Sequence, residues 1–378
     1  MSYSESEARK LVAAAGLKLN ETGLSSRTWG NISARISDTE FVITPSGIAY
    51  DMITPDMLAK VNIKTRRWEG PCTPSDETGM HADAYLCRKD VDFCIHTHQR
   101  KATVVGARAT GIKSVPDEYR EILGNSVPCA SYGLPSTELL CRNVKKAAAT
   151  DPSCKSVLML HHGTLCMGRD EADAFNIALT LEKLCEQIIE KNYLILSGNE
   201  KFDLYDMLSM YLERETEIRS VVPVLNELPD IKRTDKNIPD LYKAVFRSYP
   251  DVNFIGRLTD PYTTAVSMAG KELFPSLDDM SQIAGVSMRV FENDPKRLRR
   301  SQNALIKSLS YRNAVLVKNG GAIVTAKTES DIKALKEVVS KGCETQIGHV
   351  MFSQGEPLQA VYRKIMRIAY LSWYTKKH

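Results

Sequence analysis

The sequence predicts a layered α/β fold in which one module is followed by a degenerate copy of itself. Strand-like and helix-like segments alternate over the first ~200 residues, which is typical of strands layered against helices. A similar order of segments recurs in the second half of the 378-residue chain, which is long enough for two ordinary domains. The apolar runs stay strand-sized, as in Ser156–Leu160, so we expect no segment to cross a bilayer.

The first predicted elements are a helix, two short strands and a second helix. Ser4-Glu5-Ser6-Glu7 has the form of a capping box and predicts the start of the first helix. Asn31–Ile36 and Phe41–Thr44 have strand character, and Pro45-Ser46-Gly47 predicts a turn after the second strand. The next helix is predicted over Met80–Arg88.

The rest of the first module continues the alternation. Asp92–Thr97 predicts a strand, and Gln99–Arg108 predicts a helix. Two further strands are predicted at Ser156–Leu160 and Thr164–Met167. Asp170–Tyr193 has the apolar periodicity of a long amphipathic helix.

Two pairs of segments indicate the internal repeat. Val157-Leu158-Met159-Leu160-His161-His162-Gly163 aligns with Val315-Leu316-Val317-Lys318-Asn319-Gly320-Gly321, and the segment from Tyr85 to Phe93 aligns with that from Phe246 to Phe254. The offsets of 158 and 161 residues keep the order and spacing, with a small gap between them. We therefore predict a first module at residues 1–215, a proline-containing linker at 216–240 and a degenerate copy at 241–378.

The composition of the chain limits which cellular compartment and which classes of partner we expect. The chain has 50 Lys and Arg against 46 Asp and Glu, a net charge of +4 that is too small to indicate nucleic acid or a membrane surface as partner. None of the nine cysteines has C-x-x-C spacing, which favours reduced thiols in the cytoplasm over a disulfide framework. The N-terminal residues are polar and acidic, unlike a secretory signal.

The histidines indicate a metal site. Five of the seven lie between residues 81 and 162. His96 and His98 lie at i and i+2 of a predicted strand, so both side chains can point to one face and reach one ion. His161 and His162 follow another strand directly before a glycine, and Glu77 lies in a turn-rich segment nineteen residues before His96. Histidines plus one carboxylate are typical of a zinc-like site, although isolated polar histidines at strand ends are the alternative.

An ordered set of motifs resembles the class II aldolase/adducin family, with a pattern similar to that of an L-fuculose-phosphate aldolase. The motifs are Gly30-Asn31-Ile32-Ser33, Ile43-Thr44-Pro45-Ser46-Gly47-Ile48, Pro74-Ser75-Asp76-Glu77, His96-Thr97-His98, Gly124-Asn125-Ser126-Val127-Pro128-Cys129-Ala130 and His161-His162-Gly163. The resemblance covers about residues 5–200. It implies a three-layer α/β/α module with a central, largely antiparallel sheet.

The resemblance also implies roles for individual residues. His96, His98 and His162 would bind the metal, usually Zn²⁺ and otherwise an ion such as Mn²⁺ or Co²⁺. Glu77 would be the fourth ligand at rest and the acid or base in turnover. The pocket for a substrate phosphate would be lined by Asn31, Ser46, Gly47 and Ser75. His161 would support the ligand histidine beside it rather than bind the ion itself.

One residue departs from the family pattern, and the position of the proton-donor tyrosine has only a candidate. Asp76 stands where the family usually has serine, and a carboxylate there would repel a phosphate dianion. Asp76 therefore leaves open whether the substrate is phosphorylated at that end, although the same side chain can instead cap the following helix. Tyr119 is the candidate for the tyrosine proton donor that such aldolases use, with a half-buried packing role as its alternative.

The resemblance implies a metal-dependent lyase that cleaves a ketose phosphate or a related sugar or sugar acid by retro-aldol chemistry. The divalent metal would stabilise the negative charge of an enediolate. Pentulose-phosphate 4-epimerases and sugar-acid decarboxylases of the same family are alternatives, but the epimerase pattern has aspartate where this chain has Glu77. A non-enzymatic, adducin-like module is the remaining alternative, and the complete metal set argues against it.

The degenerate copy is predicted to lack a site. Arg257-Leu258-Thr259 stands at the position of His96-Thr97-His98, and Gly320 stands at the position of His162. We expect this copy to act as a built-in neighbour of the first module, so that the chain assembles as a homodimer or homotetramer. An independent domain that binds a regulator is the alternative.

Overall fold

The structure, a computed structural model, describes residues 3–25, 29–217 and 220–372. The chain forms two compact units, residues 1–189 and 190–378, and each is described by itself. The division falls inside a long helix, whereas the sequence-based boundaries at 215 and 240 stay predictions. None of the helices in the described ranges is both long and apolar enough to span a membrane.

The first unit is built on an eight-stranded sheet. Its elements are α1 (Glu5–Glu21), β1 (Asn31–Arg35), β2 (Glu40–Ile43), β3 (Ala59–Asn62), β4 (Trp68–Glu69), α2 (Thr78–Cys87), β5 (Phe93–Thr97), α3 (Arg100–Gly106), α4 (Asp117–Leu123), β6 (Cys129–Ala130), α5 (Glu138–Ala148), β7 (Ser156–Met159), β8 (Thr164–Gly168) and the start of α6 (Glu171–Ser197). The strand order is β4-β3-β2-β1-β5-β8-β7-β6, and all neighbours are antiparallel except the parallel pair β6 and β7.

Local sequence explains where the first elements begin. The side-chain oxygen of Ser4 accepts a hydrogen bond from the Glu7 amide, which caps α1 as the sequence predicts. Strands β1, β5 and β8 are buried along their whole length, because helices cover the sheet and leave no solvent face for polar alternation. The core under α2 and α5 brings together residues such as Phe41, Tyr85 and Val157.

The second unit repeats part of this architecture. Its elements are α7 (Leu204–Thr216), β9 (Ile231–Lys232), α8 (Asp240–Ser248), β10 (Phe254–Leu258), α9 (Pro261–Met268), α10 (Asp278–Ile283), β11 (Val290–Phe291), α11 (Leu298–Leu309), β12 (Ala314–Val317), β13 (Ala322–Ala326), α12 (Glu329–Phe352) and α13 (Ala360–Ser372). The strand order β9-β10-β13-β12-β11 matches β1-β5-β8-β7-β6, and the last pair is again the parallel one. The predicted fold class, an α/β module followed by a repeat, is confirmed, and β9 lies inside the segment predicted as a linker.

An arginine that joins the sheet to a helix end recurs in both units. Arg35 donates from Nε to Val91 O at 2.9 Å and from Nη2 to Tyr85 O at 2.8 Å. In the second unit Arg233 donates from Nε to Val252 O at 2.9 Å and from Nη1 to Phe246 O at 2.8 Å. Each guanidinium satisfies carbonyls at and beyond the C-terminus of a helix, which have no partner within that helix. The two units are therefore equivalent in this arginine and its hydrogen bonds as well as in strand order.

Candidate metal centre and active site

Three imidazoles converge at one end of the central strands of the first unit. His96 is the fourth residue of β5, His98 follows that strand, and His162 lies in the turn between β7 and β8. Antiparallel pairing of β5 with β8 places His96 opposite Leu165, which brings the β7–β8 turn against the end of β5. The ligand atoms of the three histidines lie within 4.8 Å of one another. The structure thus brings together the three histidines that the sequence predicts as ligands.

Two glycines permit this close approach. Gly30 has φ +80°, and a Cβ there would lie 2.4 Å from His96 O. A Cβ on Gly163 would lie 2.2 Å from Thr97 O and 3.1 Å from His96 Cε1. Any side chain at either position would push against the end of β5 and displace His96, so the two glycines are requirements of the cluster.

Glu77 completes the cluster from the start of α2. Its Oε2 lies 3.2 Å from His96 Nε2, and its Oε1 lies 2.9 Å from His162 Nε2. Glu77 occupies the N-cap position of α2, but among the described residues its side chain makes no cap hydrogen bond. Its carboxylate is therefore directed at the histidines and does not cap the helix.

Hydrogen bonding fixes the state of His96. Its Nδ1 lies 2.8 Å from Thr164 O. A carbonyl only accepts, so Nδ1 carries the proton and the Nε2 lone pair faces the cluster. Burial lowers the pKa of His96 well below its ordinary value, which keeps the ring neutral.

The ionisation of Glu77 indicates that a cation belongs among these side chains. Burial raises the pKa of Glu77, but the charges that His96 and His162 can carry, with the hydrogen bond from His162, outweigh burial and lower that pKa below its usual range. An ionised carboxylate oxygen and the lone pair of His96 then face each other at 3.2 Å. Such an arrangement is repulsive unless a cation, either a proton or a metal ion, lies among these atoms. Three imidazoles and one carboxylate are a donor set that suits zinc and similar divalent ions.

Three of the four residues predicted to line a phosphate pocket, Ser46, Gly47 and Ser75, lie in two connected segments beside Glu77. Ser75 Oγ accepts from the Glu77 amide at 3.3 Å, and Ser46 Oγ donates to Asp76 Oδ2 at 3.4 Å. The amides of Ser46 and Ser75 donate to the carbonyls of Thr73 and Thr44, so these two serines offer hydroxyls rather than amides.

Gly47, Asn31 and Tyr119 differ in what surrounds them. Gly47 has φ +71° with no atom near its absent Cβ, so its backbone is open to a ligand. The buried Asn31 side chain donates from Nδ2 to Glu77 Oε2 at 3.0 Å. Tyr119 is buried on α4 and has Lys183 Nζ 5.8 Å from its ring centroid, so its proton-donor role stays a prediction.

His161 does not share the orientation of its neighbour His162. It has φ +65°, a left-handed backbone conformation, and its ring packs edge-on against Tyr132 with ring centroids 5.6 Å apart. A left-handed residue reverses the chain in this turn, so consecutive side chains point in different directions. The expectation that His161 is not a ligand stays a prediction with this support.

Sequence reasoning missed His81, which contacts Asn31 through its Nε2 at 2.5 Å. His81 follows Glu77 by four residues, the spacing that puts two side chains on one face of a helix. That spacing was the available signal.

Comparisons with known proteins identify the family to which this chain belongs. Residues 10–189 and 229–347 match the model of the family described as Class II Aldolase and Adducin N-terminal domain. A 5-methylthioribulose-1-phosphate/5-deoxyribulose-1-phosphate aldolase of Escherichia coli O45:K1 (strain S88 / ExPEC) is 35% identical over 150 residues, covering 40% of this chain and 68% of that protein. An L-fuculose phosphate aldolase of Escherichia coli (strain K12) is 30% identical over 170 residues, covering 45% of this chain and 77% of that protein.

Among solved structures, an L-fuculose 1-phosphate aldolase is 29% identical, with a TM-score of 0.47, and covers 54% of this chain and 93% of that one. The two curated relatives each align with less than half of this chain, whereas the family model matches it twice. The predicted enzyme class, a class II aldolase acting as a carbon–carbon lyase, is confirmed at the level of the family. This chain belongs to the class II aldolase and adducin N-terminal domain family.

Proposed function

We propose that this protein is a divalent-metal-dependent aldolase that cleaves a ketose phosphate, or a related sugar or sugar acid, at a single site in its first unit. The observation that carries this proposal is the Glu77 carboxylate held 2.9 Å and 3.2 Å from two of three converging imidazoles. A structural ion pair between Glu77 and one histidine would not need a third imidazole.

His96, His98, His162 and Glu77 would hold the metal, for which zinc is the first candidate and Mn²⁺ or Co²⁺ the alternatives. When bound, the cation supplies Lewis-acid stabilisation of the negative charge that develops as the carbon–carbon bond breaks. The imidazole of His96 is already oriented for this role by the Thr164 carbonyl.

Cleavage of an aldol needs both a base and an acid but no net proton. The hydroxyl on the departing carbon loses a proton as its oxygen becomes an aldehyde carbonyl, and the electron pair of the broken bond passes to the carbon next to the ketone. That carbon then gains a proton. Glu77 is suited to hold and transfer one of these protons at a carboxylate oxygen, since it already lies among the metal-binding side chains. Tyr119 is our candidate for the other proton.

The substrate's far end would lie against Ser46, Gly47 and Ser75. Two hydroxyls and an open glycine backbone can receive a phosphate or a carboxylate through hydrogen bonds. Asp76 beside them disfavours a dianion, which is why sugar acids and neutral sugars remain on the substrate list. The proposal includes assembly as a homodimer or homotetramer, which a mass measurement in solution tests.

The experiment is a panel of ketose phosphates, sugar acids and neutral ketoses, with product identification, run on wild type, His96→Ala, Glu77→Gln and His349→Gln. We expect two smaller carbonyl products from wild type, loss of activity on chelation, and recovery with zinc. His96→Ala should lose most of its metal, while Glu77→Gln should keep much of it and turn over about 10²–10⁴-fold more slowly.

The control residue His349 is a buried histidine of the second unit. Its replacement should leave metal content and turnover unchanged. An epimer as sole product would replace the aldolase proposal by an epimerase, carbon dioxide release would replace it by a decarboxylase, and full metal content in His96→Ala would overturn the site.

A further inference from the structure

A line of hydrogen bonds runs from Glu77 into the interior of the first unit. Asn31 Nδ2 donates to Glu77 Oε2 at 3.0 Å, and Asn31 Oδ1 lies 2.5 Å from His81 Nε2. On the far side of the ring, His81 Nδ1 lies 2.7 Å from Ser33 Oγ. Ser33 Oγ also lies 2.7 Å from the hydroxyl of Tyr85. We call these five residues the Glu77 network.

The charge of Glu77 determines the direction of every bond in the network. A carboxylate only accepts, so Asn31 must turn its NH₂ group toward Glu77 and its carbonyl toward His81. That carbonyl also only accepts, so His81 must carry its proton on Nε2. The lone pair is then on Nδ1 and must accept from Ser33, whose oxygen accepts in turn from Tyr85. One orientation alone satisfies all five groups.

The network is sealed from water. Ser33, His81 and Tyr85 have no exposed surface, and Asn31 is 3% exposed. Burial lowers the pKa of His81 to about 4, so its ring is neutral near pH 7 and has a single N–H to donate. Because Ser33 and His81 are shielded from water, the hydrogen bonds inside the network hold these two side chains in place.

The second unit shows that the fold itself does not need these hydroxyls. The recurring arginine aligns Tyr85 with Phe246, because Arg35 and Arg233 stack on these two rings at 4.8 Å and 4.9 Å. The pairing of β9 with β10 likewise aligns Ser33 with Ile231. Where the metal-binding histidines are absent, both hydroxyls are absent too, while the packing role of the ring is kept.

We propose that His81, held by Ser33 and Tyr85, is a positioning residue that fixes the side chain of Asn31 and through it the carboxylate of Glu77. This inference rests on the proposed function, because Glu77 is the residue that it serves. Without His81 the Asn31 amide has no fixed orientation and can present its oxygen to Glu77. The carboxylate would then lose a donor, gain a repulsive neighbour and leave its place beside His96 and His162.

A double-mutant cycle tests whether His81 acts through Asn31. Zinc affinity, by competition with a chromogenic chelator, and the split between kcat and KM are measured for wild type, His81→Phe, Asn31→Ala and the double variant. Each single variant should lose about 10–100-fold in zinc affinity, with kcat falling more than KM rises. The double variant should be no worse than the poorer single variant. Losses that multiply would show two independent effects and overturn the proposal.

Tyr85→Phe and Tyr193→Phe form a matched pair, since both rings are fully buried and the Tyr193 hydroxyl donates to Asp206 at 2.8 Å, outside the network. Tyr85→Phe should weaken zinc binding several-fold by this reasoning, while Tyr193→Phe should bind zinc like wild type. Equal zinc affinity in the two variants would overturn the roles of Ser33 and Tyr85. This pair keeps the test decisive should His81→Phe fail to fold.

A third measurement needs neither metal nor substrate. Nitrogen-15 NMR of the histidine-labelled, metal-free chain reports which ring nitrogen of His81 carries the proton. We expect Nε2–H, and an Nδ1–H form would overturn the proposal. If this form and the coupling in zinc affinity are both found while the substrate panel shows no cleavage, the proposed reaction fails and the positioning role stands.

Discussion

Replacement of Gly163 by alanine should disable the metal site through the backbone rather than through a ligand. Gly163 lies directly after His162 in the β7–β8 turn, and it faces the end of β5. The added Cβ would lie 2.2 Å from Thr97 O and 3.1 Å from His96 Cε1. Real contacts of this kind are longer by about 1 Å, so the turn and the end of β5 must separate by about that distance.

The size of the effect follows from what a movement of this size breaks. His96 is oriented by a 2.8 Å hydrogen bond from Nδ1 to Thr164 O, the residue after Gly163. A displacement of about 1 Å exceeds the range of a hydrogen bond and releases the ring. Overpacking costs about 1–3 kcal/mol and the lost bond about 1 kcal/mol, so the free energy of unfolding should fall by about 2–4 kcal/mol. Zinc affinity should fall by at least about tenfold.

Two glycines of the same chain serve as controls. Gly321 lies in the equivalent turn of the second unit, where a Cβ would be 2.0 Å from Leu258 O. Gly321→Ala should destabilise the chain in urea unfolding at least as much as Gly163→Ala, yet leave zinc affinity unchanged. Gly106→Ala places its Cβ at an ordinary 3.5 Å from Leu158 Cβ and should change neither measurement by much. Wild-type zinc affinity in Gly163→Ala, or loss of zinc in Gly321→Ala, would refute the reasoning.

Three further outcomes are expected. Asp76→Ser should raise kcat/KM for phosphorylated relative to non-phosphorylated substrates by about fivefold, since an exposed charge pair near 4 Å is worth about 1 kcal/mol; a fall in that ratio would contradict the repulsion argument. Burial lowers the pKa of His81 to about 4 in the folded chain, whereas a histidine in the unfolded chain has a pKa of about 6.5. As pH falls, the unfolded chain therefore binds a proton at His81 before the folded chain does. The free energy of unfolding of the metal-free protein should therefore decrease by about 3 kcal/mol from this residue between pH 6.5 and pH 4, and His81→Phe should flatten that decrease in urea titrations. His161→Asn should keep full zinc content, because its ring packs on Tyr132 and asparagine tolerates φ +65°, whereas His162→Asn should lose zinc; equal loss in both would assign His161 as a ligand.

The histidines that converge at the end of β5 could be singled out from the sequence because the direction of each side chain is set locally, and their role as metal ligands stays a prediction. His96 and His98 share a strand face by spacing alone, and a strand followed by His161-His162-Gly163 predicts a side chain directed into a cleft. The repeat was predictable for a similar reason, since a buried strand followed by a turn with glycine gives a short, recognisable motif in each half of the sequence. In each case the direction of a side chain follows from its neighbours in sequence, whereas the contact between His96 and His162 depends on the pairing of β5 with β8.

The Glu77 network could not be predicted in the same way. Its bonds cross from β1 to α2, and they depend on a register that pairs Ser33 with Cys94 and sets Asn31 opposite His96. A slip of one residue would turn both Asn31 and Ser33 away from His81. Without the register, Asn31 is only a polar residue after a glycine, and its place in a phosphate pocket, which the family resemblance implies, stays a prediction.

The recurring arginine was missed for another physical reason. Arg35 and Arg233 are 198 residues apart, whereas the aligned segments are offset by 158 and 161 residues. The difference arises because the strands β2, β3 and β4, which follow β1 in the first unit, have no counterpart after β9, which leads directly to α8. An insertion between two equivalent residues removes the constant spacing on which a search for repeats depends.

A comparison of the two units distinguishes the residues that the fold requires from those found only at the candidate site. Both units keep an arginine that caps a helix end, and both keep a left-handed residue in the turn, His161 at φ +65° and Asn319 at φ +58°. At the position of His96, however, the second unit has Arg257, whose Nη2 donates to Gly320 O at 2.6 Å and so binds the turn that His162 uses to present a ligand. In the second unit the turn is thus held by a hydrogen bond from arginine, at the position where the first unit has His96 of the candidate site. The second unit, in which residues 229–347 match the family, therefore keeps the packing of the turn, and the three histidines of the candidate site lie in the first unit.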